Sequence, residues 1–299
     1  MNKLNKITRL AIWIFLISIG ILMILCCQNT VTKPEKQIIT VSILPQKYFA
    51  EKIAGDKFLV NVMVPPGANH ENYDPSPEQV INLSKTSLYF RIGNIEFENV
   101  WIPRFVDNYP ELKVIDLSRG LHLISNTDES HEDHHHGQTD PHTWMSPVNV
   151  KGIAKNILEA LVEFDMENES FYLTNYNLFI AELDSLNDRI LEILQHKKSD
   201  GFIIYHPAMT YFARDFGLKQ FALEVDGKSP SAFHIRAIID IAKKEDIRII
   251  LVQKQFDKTK AETIAGETGA VVTEIDPLNE NWEQEIMDIT NKLAESLNQ

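Results

Sequence analysis

The spacing of apolar positions changes repeatedly along the chain. Ile38 to Leu44 is a nearly unbroken apolar run, which predicts a buried strand. Gln46 to Ile53 then carries Tyr48, Phe49 and Ile53 at helical spacing. Phe58 to Val64 predicts a second strand, stopped by Pro65, Pro66 and Gly67. Ser76, Pro77 and Glu78 offer a helix N-cap, a proline at the first helical position and an early acid. Leu88 to Ile92 and Lys113 to Leu117 predict two more strands. The alternation resumes after residue 200. Strands are expected at 202–205, 221–225, 247–252 and 270–275. Helices are expected at 208–216, 232–244, 259–268 and 282–297, with Gly217 and Gly269 as stops.

Between these halves the period is helical throughout. Val148 to Phe164 predicts one helix. Residues 169–197 predict a longer one, with Tyr172, Tyr176, Phe179, Leu183, Leu186, Ile190 and Ile193 three or four apart and no Gly or Pro inside. That aromatic and aliphatic stripe reads as core packing. Strands alternating with helices imply parallel sheets. The expected architecture is therefore α/β, with two lobes each holding a parallel sheet flanked by helices. One long rigid helix joins them. The N-terminal lobe would span 38–168 and the C-terminal lobe 198–299.

The N-terminus departs from this pattern. Lys3, Lys6 and Arg9 precede an apolar run from Leu10 to Leu25, the layout of an export signal. The chain's two cysteines, Cys26 and Cys27, close that run. Adjacent cysteines build no disulfide framework. Residues 1–26 are expected to be a leader and 27–37 a polar tether. The net charge of -13 argues against nucleic acid as a partner, because nothing would balance its phosphates.

Half of the ten histidines fall between His131 and Pro147. His131, His134, His135 and His136 sit in an acidic, polar loop, 128–138, that reads as a solvated tract or a metal-capturing one. His142 is different, placed between Pro141 and Trp144. Four segments stand at strand ends or in loops: Pro66 to Pro77, Asp140 to Pro147, Tyr205 to Phe212 and Glu274 to Leu278. Ligands of α/β sheets bind beyond the carboxyl ends of strands. Imidazole and carboxylate donors there suit Zn²⁺ or Mn²⁺.

Taken together, these segments resemble the cluster 9, or A-I, solute-binding proteins of ABC importers for zinc and manganese. The resemblance runs from Ile38 to the end. The family motifs Gly-Ala-x-Pro-His-x-Tyr-x-Pro-Thr-Pro, Asp-Pro-His-x-Trp, a His before an aromatic helix, and Asp-Pro-Leu are matched at Gly67, Asp140, His206 and Asp276. The resemblance implies His142, His206 and Asp276 as metal ligands. In the first motif the ligand position holds Glu71, while His70 stands where the family has proline, so Glu71 is the expected first ligand and His70 its alternative. A His at the third position goes with the zinc subgroup. Ile24 to Cys27 is similar to a lipoprotein signal, which implies lipidation at Cys27, or else Cys26, and a place on the outer side of a bacterial membrane.

The function implied is capture of zinc, with manganese as the alternative, and its delivery by a monomer to an ABC permease with its ATPase. No enzyme activity is expected. The competing classes are an exported zinc enzyme, with Glu71 as a base beside three ligands, and an adhesin on the same fold.

Overall fold

The computed structural model describes residues 11–15, 36–125, 139–225 and 227–299. Cys26, Cys27 and the loop histidines His131, His134, His135 and His136 lie outside the described residues, as do most of the leader and tether. Residues 11–15 are helical and belong to a unit, Met1–Lys36, separate from Gln37–Gln299. Among the described residues no helix is long and apolar enough to cross a membrane.

Within Gln37–Gln299 the first sheet comprises β1 (Gln37–Val41), β2 (Phe58–Val62), β3 (Thr86–Arg91) and β4 (Lys113–Asp116). All pairings are parallel and the order is β2-β1-β3-β4. Helices α1 (Leu44–Ala54), α2 (Pro77–Asn82) and α3 (Glu96–Asn108) connect them. α3 has no counterpart among the helices expected from the sequence. Pro103 stands inside it, and an interior proline removes a backbone donor and argues against helix. The acids Glu96 and Glu98 in its first turn, with Phe97 and Phe105 buried, outweigh that break.

The second sheet repeats the same topology with β5 (Gly201–Ile204), β6 (Lys219–Ala222), β7 (Ile249–Gln253) and β8 (Val271–Ile275), ordered β6-β5-β7-β8 and parallel throughout. β6 starts two residues earlier than expected. Its hydrogen bonding to β5 nevertheless continues through Leu223 and Glu224, whose amides donate to Ile204 and Tyr205.

α4 (Pro147–Phe164) starts at Ser146, whose hydroxyl accepts from the Asn149 amide. α5 (Glu169–Leu194) is the linking helix. Its 26 residues span about 39 Å, and it ends before the expected 197. Tyr172, Phe179, Leu183, Leu186, Ile190 and Leu194 are buried along one stripe, as the spacing predicts. The C-terminal half adds α6 (Thr210–Phe216), α7 (Ala232–Lys244), α8 (Thr259–Thr268) and α9 (Trp282–Leu297). Gly217 and Gly269 end α6 and α8 in the left-handed region, at φ of 61° and 76°.

Side chains alternate faces along a strand, and the second sheet uses this to join two cores. Phe202, Ile204 and Leu251 face an apolar cluster shared with the first sheet, α5 and α9. Ile203, Ile250 and Val252 face a smaller cluster with α7 and α8. The lobes are thus tied by more than α5. Trp282 of α9 is buried against Phe49 of α1, with ring centroids 5.0 Å apart. Tyr48 donates to Glu283 at 3.1 Å and Lys47 pairs with Glu280.

Candidate metal centre

The first donors sit on the loop between β2 and α2. Pro65 and Pro66 end the strand, and Gly67 turns the chain at φ 79°. The Asn69 side chain accepts the Glu71 amide at 2.9 Å, closing a tight turn. Gln79 pins the far end of the loop. Its amide group donates to the Met63 carbonyl, and its oxygen accepts from Tyr73 and the Ser76 amide.

The second donor follows Asp140-Pro141. One oxygen of Asp140 accepts both the His142 amide, at 2.8 Å, and its ring Nδ1, at 2.9 Å. The Asp140 backbone is held in turn by Ile124 and by the Tyr211 hydroxyl of α6. Trp144 is fully buried beside His142 and donates its indole N–H to the Pro277 carbonyl.

The third donor, His206, stands just beyond the carboxyl end of β5. The Gln253 side chain fixes its backbone on both sides, accepting the His206 amide at 3.2 Å and donating to its carbonyl at 2.6 Å. Phe256 stacks on its ring at 5.5 Å. The Glu224 carboxylate lies 2.6 Å from Nδ1.

Four of the expected ligands are thereby brought to one point. His70, Glu71, His142 and His206 each offer a donor atom, all within 4.8 Å of one another. His142 Nε2 and His206 Nε2 are 3.1 Å apart. Glu71 Oε1 lies 3.3 Å from His70 Nε2 and 3.9 Å from His206 Nε2. Donors about 2.0–2.1 Å from one tetrahedral zinc stand about 3.3 Å from each other, and the His142–His206, Glu71–His70 and Glu71–His206 pairs, at 3.1, 3.3 and 3.9 Å, approach that spacing. Glu71, the expected first ligand, and His70, its alternative, both lie in this cluster. The turn begun at Asn69 aims two consecutive side chains at one place.

The chemistry fits a cation. The imidazoles are buried, at 7% exposure for His70, 3% for His142 and 8% for His206. Nε2 of His70 has no well-formed hydrogen bond and has the Glu71 carboxylate beside it at 3.3 Å, so a buried nitrogen and an acid face the same point, where a cation would satisfy both. Burial keeps His70 neutral, with its pKa lowered. Burial also opposes ionisation of Glu71, but the surrounding imidazoles of His70, His142 and His206 prevail and hold it at about 2. For His142 burial again works against charge, and the Asp140 carboxylate outweighs it, raising the pKa.

Asp276 is not in this cluster. Its carboxylate faces Lys254 Nζ at 3.2 Å and accepts the Leu278 amide at 3.3 Å. The neighbouring ammonium competes for the group that the Asp-Pro-Leu motif offers. Glu274, two residues earlier on the strand, is exposed and paired with Lys258 at 2.7 Å. Asp140, Glu224 and Gln253 were not singled out by sequence reasoning. Asp140 stood inside a recognised motif, two residues before its histidine. Glu224 and Gln253 are visible only once the register of β6, β5 and β7 is known.

Two helix-linked α/β lobes around a buried His and carboxylate cluster define a metal-binding protein of the solute-binding kind. A family model described as "Zinc-uptake complex component A periplasmic", or ZnuA, matches residues 39–299. The chain belongs to that family. It is 26% identical over 273 residues to the high-affinity zinc uptake system protein ZnuA of Bacillus subtilis (strain 168), covering 86% of this chain and 85% of that one. It is 27% identical to the zinc-binding lipoprotein AdcA of Streptococcus pneumoniae (strain ATCC BAA-255 / R6), over 91% of this chain but 56% of that longer protein. A crystal structure of ZnuA superposes with a TM-score of 0.82 at 36% identity, over 88% of this chain and 99% of the other.

Proposed function

We propose that the protein captures zinc outside the cytoplasm and delivers it to an ABC permease driven by its ATPase. The observation that carries this reading is the convergence of His70, Glu71, His142 and His206 on one buried point. Membership in a zinc-uptake family supports it. Three imidazole nitrogens and one carboxylate suit zinc better than manganese, which prefers oxygen-rich sets. Four protein donors also fill a tetrahedron and leave no position for a reacting water, so the site is built to hold rather than to catalyse.

Delivery requires that the ion leave. The core shared by the lobes and the contacts of α9 with α1 oppose a large hinge. Movement is then confined to small tilts and to the 65–76 loop. We assign residues 38–168 and 198–299 to the lobes and 169–197 to the link, with lipid attachment at Cys27, or Cys26, holding a monomer at the membrane. The 128–138 histidine loop would gather ions near His142.

Competition binding on residues 36–299 tests the reading. The expected result is one tight zinc per chain, with manganese at least 100-fold weaker. Absence of a tight zinc, or preference for manganese, would refute it.

A further inference from the structure

Parallel register places Glu224 beside His206. β5 and β6 pair Gly201 with Lys219 and Ile204 with Ala222, and the ladder continues as the Leu223 and Glu224 amides donate to Ile204 and Tyr205. The same offset sets residue 224 opposite residue 206. The Glu224 side chain is almost wholly buried and meets His206 Nδ1 at 2.6 Å. The rest of His206 is already fixed, its backbone by Gln253 and its ring face by Phe256. What remains free is the position of the ring proton.

That proton decides whether the site can take an ion. His206 Nε2 and His142 Nε2 are 3.1 Å apart, which is hydrogen-bond distance. If either carried a proton on Nε2, the two rings could satisfy each other without metal, and zinc would have to break that bond. A carboxylate accepting from Nδ1 draws the proton to the far side of the ring and leaves the Nε2 lone pair facing inward. Asp140 occupies this place for His142.

We propose that Glu224 is the positioning residue for His206, holding its proton on Nδ1 and so keeping the His142–His206 pair from closing on itself in the absence of zinc. This rests on the zinc-capture reading. Glu224 touches no metal. It acts by removing the competing hydrogen bond and by making the imidazole a stronger donor. Partners of this kind typically change metal affinity by about 10- to 100-fold.

The test compares wild type, Glu224→Ala and Glu224→Gln as whole chains. It reads zinc affinity by chelator competition, the His206 tautomer in the zinc-free protein by ¹⁵N-resolved imidazole spectra, and folding by circular dichroism. Glu224→Ala is expected to bind zinc about 10- to 100-fold more weakly, with the His206 proton moved to Nε2. Glu224→Gln, whose amide oxygen still accepts from Nδ1, is expected to keep the wild-type tautomer and recover part of the affinity. If folded Glu224→Ala kept wild-type affinity, or kept the proton on Nδ1, the proposal would be overturned. A Gln variant no better than Ala would also overturn it. A wild type without tight zinc would instead overturn the capture reading beneath it.

Discussion

Deleting donors one at a time discriminates the cluster from the ligand set implied by the sequence motifs. The four clustered candidates are His70, Glu71, His142 and His206, and Asp276 lies outside that cluster. Four-donor zinc sites in small folded peptides contribute about 10–16 kcal/mol, or roughly 3 kcal/mol for each donor. At 1.4 kcal/mol per decade that is about 100-fold in affinity. Position modulates the figure. His70 is 7% exposed, so its removal leaves a hole that water fills poorly. Glu71 has a side chain 33% exposed, so water can take its place on the ion. His70→Ala should therefore lose about 100- to 1,000-fold and Glu71→Ala about 10- to 100-fold. Asp276→Asn should stay within about threefold, because Lys254 and the Leu278 amide already hold that carboxylate. Chelator competition at fixed pH and salt gives all three numbers. A 100-fold loss in Asp276→Asn, with His70→Ala near wild type, would refute the donor set.

Three further outcomes follow from the same structure. Trp282→Phe should lower the unfolding free energy by about 2–4 kcal/mol, because it strands the buried Trp144 carbonyl that the indole N–H serves at 2.8 Å and loosens packing on Phe49. Denaturant titration checks this, and a change under about 0.5 kcal/mol would show that the lobes are not tied there. Glu98 is buried, and although Ser42, Ile92, Gly93 and Arg91 favour its ionised form, burial raises its pKa from 4.5 to about 6. A raised folded pKa contributes stability that is present below pH 4.5 and lost as pH rises through 6. Wild type should thus gain about 2 kcal/mol relative to Glu98→Gln between pH 7 and pH 4.5, read from paired denaturation curves. Replacing residues 126–138 with a two-residue Asn-Gly turn between Ser125 and Thr139 should keep the tight zinc, because those two residues already pair antiparallel and such a turn closes the pair. Loss of all tight zinc in that deletion would make the histidine tract the real binder.

Periodicity carries most of the fold. The buried stripe of α5 and the alternation of Phe202, Ile203 and Ile204 between two cores follow directly from spacing of 3.6 and of 2. α3 carries Pro103 in its interior, which argues locally against helix, whereas tertiary packing of Phe97 and Phe105 favours it. The site divides in the same way. Motif order locates His142 and His206, since each stands at the end of a local element. It could not show that His70 and Glu71 both face the cluster, because that depends on the turn conformation at Asn69. Nor could it show that Asp276 meets Lys254, a residue 22 positions away on a neighbouring strand's end. Glu224 is the sharpest case. An acid at the end of a short strand has no local meaning. It acquires one only through the β5–β6 register, which sets it against a histidine 18 residues earlier. Ligands were legible where the chain itself presents them, and their partners were hidden wherever the sheet presents them.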